Sequence, residues 1–359
     1  MDFSFTEEQE DLRGLAKRIL EDKLTEERMR EVEAGVERFD RDTYAALAKA
    51  NLLGISLPDD VGGSGYGIIE QCLVLEQVGR TVAPVPVLAS IVMGAMPIAE
   101  FGTAEQKAAW AAPAAEGEKV LTAALVEPID AAPTTATADG DGWRIDGVKT
   151  CVPAGTYADL VLVPAGDRVF LVEPSVEGVT VERQMTSNKE AEARITFAGA
   201  PALGVLEGDD VVGWMRRRAT LGLVAMQLGV LSRAVEMTAE YSKTRVQFER
   251  PIATFQAVGQ RMADAYIDVE GVRLTLIQAM WRLAEGLPAD TEIEVAKYWA
   301  ADAGHRVAHT AVHIHGGVGI DVDYPLHRYF VAAKKNEFTL GGATEQLLRI
   351  GAELAEVGL

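Results

Sequence analysis

The chain has 359 residues, 48% of them hydrophobic and 25% charged, with a formal net charge of −20 at pH 7. That is the make-up of a globular protein of two or three packed units, and its charge argues against nucleic acid or an anionic membrane as partner, while leaving room for a local Arg and Lys cluster to receive an anionic ligand. Cys72 and Cys151 are the only cysteines, so no disulfide framework is expected. Met1-Asp2-Phe3-Ser4 lacks the basic and apolar regions of a signal peptide, and the apolar stretch Leu221–Leu231 contains Gln227 and is too short to span a bilayer. A cytoplasmic protein is expected.

Residues 1–118 read as a helical domain. Thr6 ahead of Glu7, Glu8 and Glu10 suits an N-cap with an acidic first turn, and Leu12, Leu15, Ala16, Ile19 and Leu20 recur at helical spacing. Pro58 to Gly65 breaks the pattern, Ile68 to Val82 restarts it, and Thr103 with Gln106 forms a capping box. Residues 119–208 change to β texture. Strands are predicted at Val120–Leu125, Trp143–Val148, Leu160–Val163, Val169–Val172 and Ala193–Phe197, enough for a compact antiparallel β-barrel or sandwich. From 209 to 359 long helices return: Leu221–Thr244, apolar on nearly all sides in its first half, Val258–Leu283, Thr291–His313 and Thr344–Val357, a four-helix bundle. The order makes the fold class α+β, a β module between two helical domains.

Two strings carry chemistry. In Arg245-Val246-Gln247-Phe248-Glu249-Arg250-Pro251-Ile252, followed by Phe255-Gln256, a guanidinium suited to forking onto phosphate stands where Pro251 is expected to stop a helix and expose a loop. Taken alone, the string also reads as a charged helix end. In His313-Ile314-His315-Gly316-Gly317-Val318-Gly319, paired glycines let a ligand approach the backbone; taken alone, they read as a helix C-cap. His313 and His315 lie two apart, on different faces of a helix and without a third ligand, so no metal site is expected.

Together with Pro58-x-x-x-Gly62-Gly63-x-Gly65, Glu76-x-x-Gly79-Arg80 and Gly102-Thr103-x-Glu105-Gln106-Lys107, these strings resemble the acyl-CoA dehydrogenase family over essentially the whole chain. The resemblance implies FAD as cofactor. It implies that Arg245 and Gln247 grip the FAD pyrophosphate with Phe248 packed nearby, that Gln256 follows them, and that His313, in place of the usual Gln, and Gly316-Gly317 border the same cofactor. Glu249 departs from the usual glycine.

The resemblance is also broken, and in one direction. Gly341 stands where the family often carries the Glu that removes the α-proton of the thioester, and Ala343 stands in place of the following Thr. The alternative base position on the helix after the β domain falls on Ala219-Thr220. Val126-Glu127-Pro128 lacks the family's hydroxyl, and Pro153 stands where a hydroxyl bonds the flavin near N5. What is lost belongs to a subunit's own flavin ring and base; what is kept holds the ADP half of a FAD bound mainly by the neighbour. This looks like the non-catalytic subunit of the α2β2 acyl-CoA dehydrogenases of steroid-degrading actinobacteria, whose homologous catalytic partner carries base and ring site and binds most of the acyl-CoA. Two alternatives stand beside it: a self-sufficient homo-oligomeric dehydrogenase with its base relocated to Glu337 or Glu345, and a flavin-free interaction protein on the same fold.

Overall fold

The computed structural model describes residues 4–357, so the Met1–Phe3 start, where no leader is expected, lies outside the described residues. Four helices open the chain, α1 (Glu7–Lys23), α2 (Glu26–Ala34), α3 (Arg41–Lys49) and α4 (Ile68–Arg80), followed by the short α5 (Met96–Phe101), α6 (Ala104–Gln106) and α7 (Ala112–Ala115). The caps form as their side chains dictate. Thr6 Oγ1 accepts the Gln9 N–H at 3.2 Å while Gln9 Oε1 accepts the Thr6 N–H at 3.0 Å, and Thr103 and Gln106 make the same reciprocal pair. The break after Pro58 is one 3₁₀ turn, closed by Gly62 at φ 77°.

Eight strands come next: β1 (Leu121–Ala123), β2 (Thr135–Asp139), β3 (Gly142–Val152), β4 (Leu160–Ala165), β5 (Arg168–Val172), β6 (Val179–Gln184), β7 (Glu192–Ala202) and β8 (Gly204–Leu206). They form two four-stranded sheets, ordered β1-β4-β5-β8 and β2-β3-β7-β6, neither of them closed. Val161, Val163, Phe170 and Val172 of the first sheet share one buried cluster with Ile145, Val152, Ala193 and Ile195 of the second, so the module is a sandwich. One pairing departs from the antiparallel expectation: β1 runs parallel to β4. Sequence reading missed β2, β6 and β8. The first two are mostly exposed edge strands and the third has three residues, so none presents the apolar run that marks an inner strand.

The C-terminal part holds α8 (Val211–Thr244), a minimal hairpin of β9 (Val246–Gln247) and β10 (Arg250–Pro251), then α9 (Gln256–Ala284), α10 (Asp290–His315), α11 (Leu326–Phe338) and α12 (Ala343–Val357). Of these, α11 is a further helix, which begins directly after Tyr324-Pro325. Leu221, Leu223, Val224, Ala225 and Leu228 are all buried, which gives the stretch Leu221–Leu231 of α8 its all-round apolar character. Buried Gln227 donates through Nε2 to Ala300 O and Ala333 O and accepts from Asn336 Nδ2, so the one polar residue in that run is fully bonded.

By packing, the chain divides into two compact units. One comprises the chain up to Leu20, Cys72–Ala83 and everything from Thr220; the other comprises Glu21–Gln71 and Pro84–Ala219. Within the first unit the Glu76-x-x-Gly79-Arg80 string has a packing reason. A Cβ on Gly79 would stand 1.9 Å from Met226 O, and one on Gly229 1.9 Å from Glu76 O, so α4 and α8 cross with their backbones in contact. Arg80 secures the crossing by forking onto Glu236 at 2.7 and 2.5 Å.

Candidate functional site

The helix α8 ends at Thr244, seven residues before Pro251, which corrects the expectation that Pro251 stops it. Beyond it the chain forms a two-residue hairpin in which Val246 pairs with Pro251 and Gln247 with Arg250. Its turn residues, Phe248 at φ 53° and Glu249 at φ 66°, are both left-handed, as a type I′ turn requires. The glycine usual at position 249 would enter this conformation freely; a glutamate enters it at a cost of roughly 1–2 kcal/mol.

This finger is open. Arg245 is exposed, and its guanidinium makes no hydrogen bond or ion pair with any described residue. Gln247 Nε2 donates to Val246 O at 2.8 Å, and Phe248 is 86% exposed. The Phe248 ring meets Phe255 edge-on at 6.2 Å, and the Arg250 guanidinium lies 4.2 Å over Phe255. Gln256, also exposed, is the first residue of α9, directly after Phe255.

The second string ends α10. His313 is exposed. Gly316 adopts φ 64° and ψ −143°, a region open essentially to glycine alone. Its N–H donates to His313 O and Val312 O, so the C-cap reading holds for this residue. Gly317 differs. Its φ is not left-handed, and a Cβ built on it would meet nothing within 4 Å, so neither conformation nor packing within the chain calls for a glycine there.

The two strings meet through residues that sequence reading passed over. Tyr241, one turn before Arg245, accepts the Arg245 N–H through its carbonyl at 2.8 Å. Its ring stacks on His315 at 4.2 Å and 22°, and its hydroxyl donates to His315 O at 3.4 Å. Tyr324 meets the edge of the imidazole, with its hydroxyl 3.3 Å from His315 Nε2. The available signal was the i, i+4 spacing of Tyr241 and Arg245, which places both on one helix face. An unpaired cation, an exposed aromatic and bare glycine backbone thus belong to one neighbourhood, and as a donor set they fit an anionic ligand with a flat ring, as the ADP half of FAD is.

The position of the missing base is a closed turn. Leu340 and Gly341 have φ of 58° and 102°, and buried Gln346 donates through Nε2 to Leu340 O at 3.1 Å and Gly341 O at 3.3 Å. A Cβ on Gly341 would stand 2.6 Å from that Nε2 and 2.8 Å from Glu345 Cδ. Neither nearby carboxylate is idle: Glu337 is mostly buried and pairs with Lys334, and Glu345 pairs with Arg349. Ala219, at the alternative position, is fully buried in α8.

In the β module, Glu127 Oε1 accepts from Lys149 Nζ and from the Thr134 N–H, both at 2.8 Å. Partial burial pushes the Glu127 carboxyl up, but its hydrogen bonds from Lys149 and Thr134 outweigh burial and hold it at about 2. Lys149, almost wholly buried, is lowered by desolvation against the pull of Glu127. Donors elsewhere in this segment are spent on the chain itself. Gln184 Oε1 accepts from Thr150 Oγ1 and from the Cys151 N–H, the Thr150 N–H donates to Val126 O, and Thr122 Oγ1 donates to Pro153 O. Val126 and Pro153 supply no hydroxyl.

Comparison with known proteins agrees along the chain. The N-terminal domain model of the acyl-CoA dehydrogenases matches residues 6–118 and the C-terminal domain model residues 210–355. The acyl-CoA dehydrogenase FadE27 of Mycobacterium tuberculosis is 47% identical over 370 aligned residues, covering 99% of each chain. Among solved structures, a chain of the ChsE4-ChsE5 complex from Mycobacterium tuberculosis superposes with a TM-score of 0.97 at 48% identity, over 99% of both chains. A chain of the Tcur3481-Tcur3483 steroid ACAD G363A variant does so with a TM-score of 0.93 at 42% identity, over 98% of both.

Proposed function

The chain belongs to the acyl-CoA dehydrogenase family, and on that premise we propose that it is the non-catalytic subunit of a hetero-oligomeric, FAD-dependent enzyme that desaturates an acyl-CoA thioester between its α and β carbons. One observation carries the reading: the finger at Arg245–Gln256 keeps its cation free and its aromatic exposed, while the turn at Gly341 has no carboxylate and is closed by Gln346. Arg245 and Gln247 would hold the cofactor's pyrophosphate, Phe248 would pack beside it, and Gln256, His313, Gly316 and Gly317 would border it. FAD, when bound, supplies the hydride acceptor, and a homologous catalytic subunit supplies the carboxylate that takes the α-proton. An α2β2 heterotetramer in the cytosol is the assembly we propose, with the three-part division 1–118, 119–208 and 209–359 as its domains.

Two of the similar structures are named as pairs, ChsE4-ChsE5 and Tcur3481-Tcur3483, and the second is named a steroid ACAD. Both names support a heteromeric partner, and the second supports a bulky, steroid-derived acyl group as the substrate. The relocated-base alternative loses support because Glu337 and Glu345 are engaged in ion pairs. The test is to purify the chain alone and with its homologous partner and record flavin absorbance. A flavin spectrum only with the partner is expected. Yellow protein from the chain alone would favour a self-sufficient enzyme, and colourless protein throughout would favour a flavin-free role.

A further inference from the structure

His315 is the last residue of α10 and is 4% exposed. Its Nδ1 lies 2.8 Å from Ala311 O, and a carbonyl only accepts, so Nδ1 carries the proton. Nε2 is then a lone pair that accepts the Tyr324 hydroxyl. The ring's face is covered by Tyr241, whose hydroxyl also holds the His315 carbonyl. Both the ring and the backbone of one residue are therefore fixed, immediately before the chain reverses at Gly316. The turn folds back on the same residue: a Cβ on Gly319 would meet His315 Cβ at 3.0 Å and Val312 Cα at 3.0 Å.

We infer that His315, as a neutral imidazole locked between Tyr241 and Tyr324, is the positioning residue that sets the bare backbone of Gly316-Gly317 against the FAD. The inference rests on the proposed reading of the finger and the Gly-Gly turn as cofactor contacts. It stems from what each residue can do. Gly316 is free to take many backbone conformations, so its direction has to be imposed from outside, and His315 is the neighbour held by hydrogen bonds at its ring and its carbonyl. The same side chain ties the turn to Tyr241, whose carbonyl receives the Arg245 N–H, so one buried ring registers the Gly-Gly turn against the finger.

Protonating the ring would place a cation in a buried site. Burial already lowers the affinity of His315 for a proton, and the bond to Ala311 O opposes that only in part. The titratable groups in contact with it are Tyr241 on α8 and Tyr324 in the turn; Tyr324 in turn is acted on by Glu240 and Arg233 of α8 with opposite sign. Cofactor retention is therefore expected to decline in acid as His315 titrates below its ordinary value.

The test measures FAD retention by dilution and flavin fluorescence from pH 5 to 8, on the complex with the partner subunit. The substitution His315→Phe keeps a ring on Tyr241 and removes both side-chain hydrogen bonds. It is expected to weaken FAD retention about tenfold at pH 8 and to flatten the acid decline seen with the natural residue. Tyr324→Phe, a milder change, is expected to weaken retention about threefold with unchanged circular dichroism, which keeps the test usable if His315→Phe does not fold. Natural retention with a natural pH profile in both variants overturns the inference. Arg245→Ala separates the two levels: if it weakens FAD while the His315 and Tyr324 variants do not, only the positioning role falls. If none of the three changes retention, the cofactor reading of the whole site falls with it.

Discussion

The Arg245–Gln256 finger and the β-module segments at Val126–Pro133 and Lys149–Gly155 differ in where their polar groups are spent. In the finger, the guanidinium of Arg245 has no partner among the described residues and Phe248 is 86% exposed. In the β segments, Glu127 is bonded to Lys149 and Thr134, and Thr150 and Cys151 are bonded to Gln184. A group left unpaired at a surface costs the fold little and remains available to a ligand; a group bonded internally has to be broken out of the fold before it can bind anything. On the proposed reading, the difference separates residues of this chain kept for a ligand from residues kept for stability.

The largest effect is expected in turnover. The chain by itself should be at least about 10²–10⁴-fold less active than a complete acyl-CoA dehydrogenase, the usual loss when a general base is absent. Gly341→Glu should not restore activity, because Val126 and Pro153 supply no hydroxyl to a flavin ring and φ is 102° at Gly341. A steady-state assay of both proteins with an acyl-CoA and an artificial electron acceptor decides it; appreciable turnover by the unaltered chain would break the comparison outright and send attention to Glu337→Gln and Glu345→Gln.

Next is Arg245→Ala, expected to weaken FAD retention in the assembled complex by about ten- to a hundredfold, the loss of one charge-assisted contact worth roughly 1.5–3 kcal/mol. The shape of the remaining flavin absorbance should not change. Full FAD occupancy on dilution would mean that Arg245 only closes a helix.

The mirror-image experiment is Glu127→Ala. It leaves Lys149, 3% exposed, without its partner, and should destabilise the chain by about 1–3 kcal/mol, less than a wholly buried pair because the Glu127 side chain is 34% exposed. FAD retention should be unaffected. The pH dependence has a defined sign. The folded carboxyl is held at about 2, below its ordinary 4.5, so its contribution is complete above about 4.5 and disappears as pH falls towards 2. Urea titrations at pH 7 and pH 3 measure it: the gap between the two proteins should shrink in acid, and a constant gap would contradict the assignment.

Smaller still is Glu249→Gly, which relieves a left-handed glutamate but loosens the unfolded chain, for a net gain of about 0.5–1 kcal/mol. A thermal melt that shifts downward would show that the Glu249 side chain contributes something its backbone strain conceals. The smallest effect belongs to Glu294, in the bundle. Burial first, and Glu353 second, push it up to about 7, and its Oε2 is buried without a partner. A raised carboxyl costs stability once ionised, so Glu294→Gln should match the natural protein at pH 5 and melt slightly higher at pH 8. FAD retention by this variant should match that of the natural protein at each pH.

Local chemistry written into neighbouring residues could be read from the sequence. The Thr6 and Thr103 caps, the inner strands and the apolar half of α8 all arise from spacings of a few positions, where side chain and backbone within one turn decide the outcome. The absence of a carboxylate at Gly341 and Ala219 was equally plain, since no fold can supply a side chain the sequence lacks. Other features left no such mark in the sequence. The hairpin at Phe248-Glu249 hides because glutamate does not announce a left-handed turn. The parallel pairing of β1 with β4 joins segments separated by some forty residues. The closing of the Gly341 turn needs Gln346 to reach back to it. Above all, only the tertiary structure stacks Tyr241 on His315, sets Tyr324 against the same imidazole and so joins two strings some seventy residues apart, because ring contacts and burial are decided by which elements meet, and no local spacing records that.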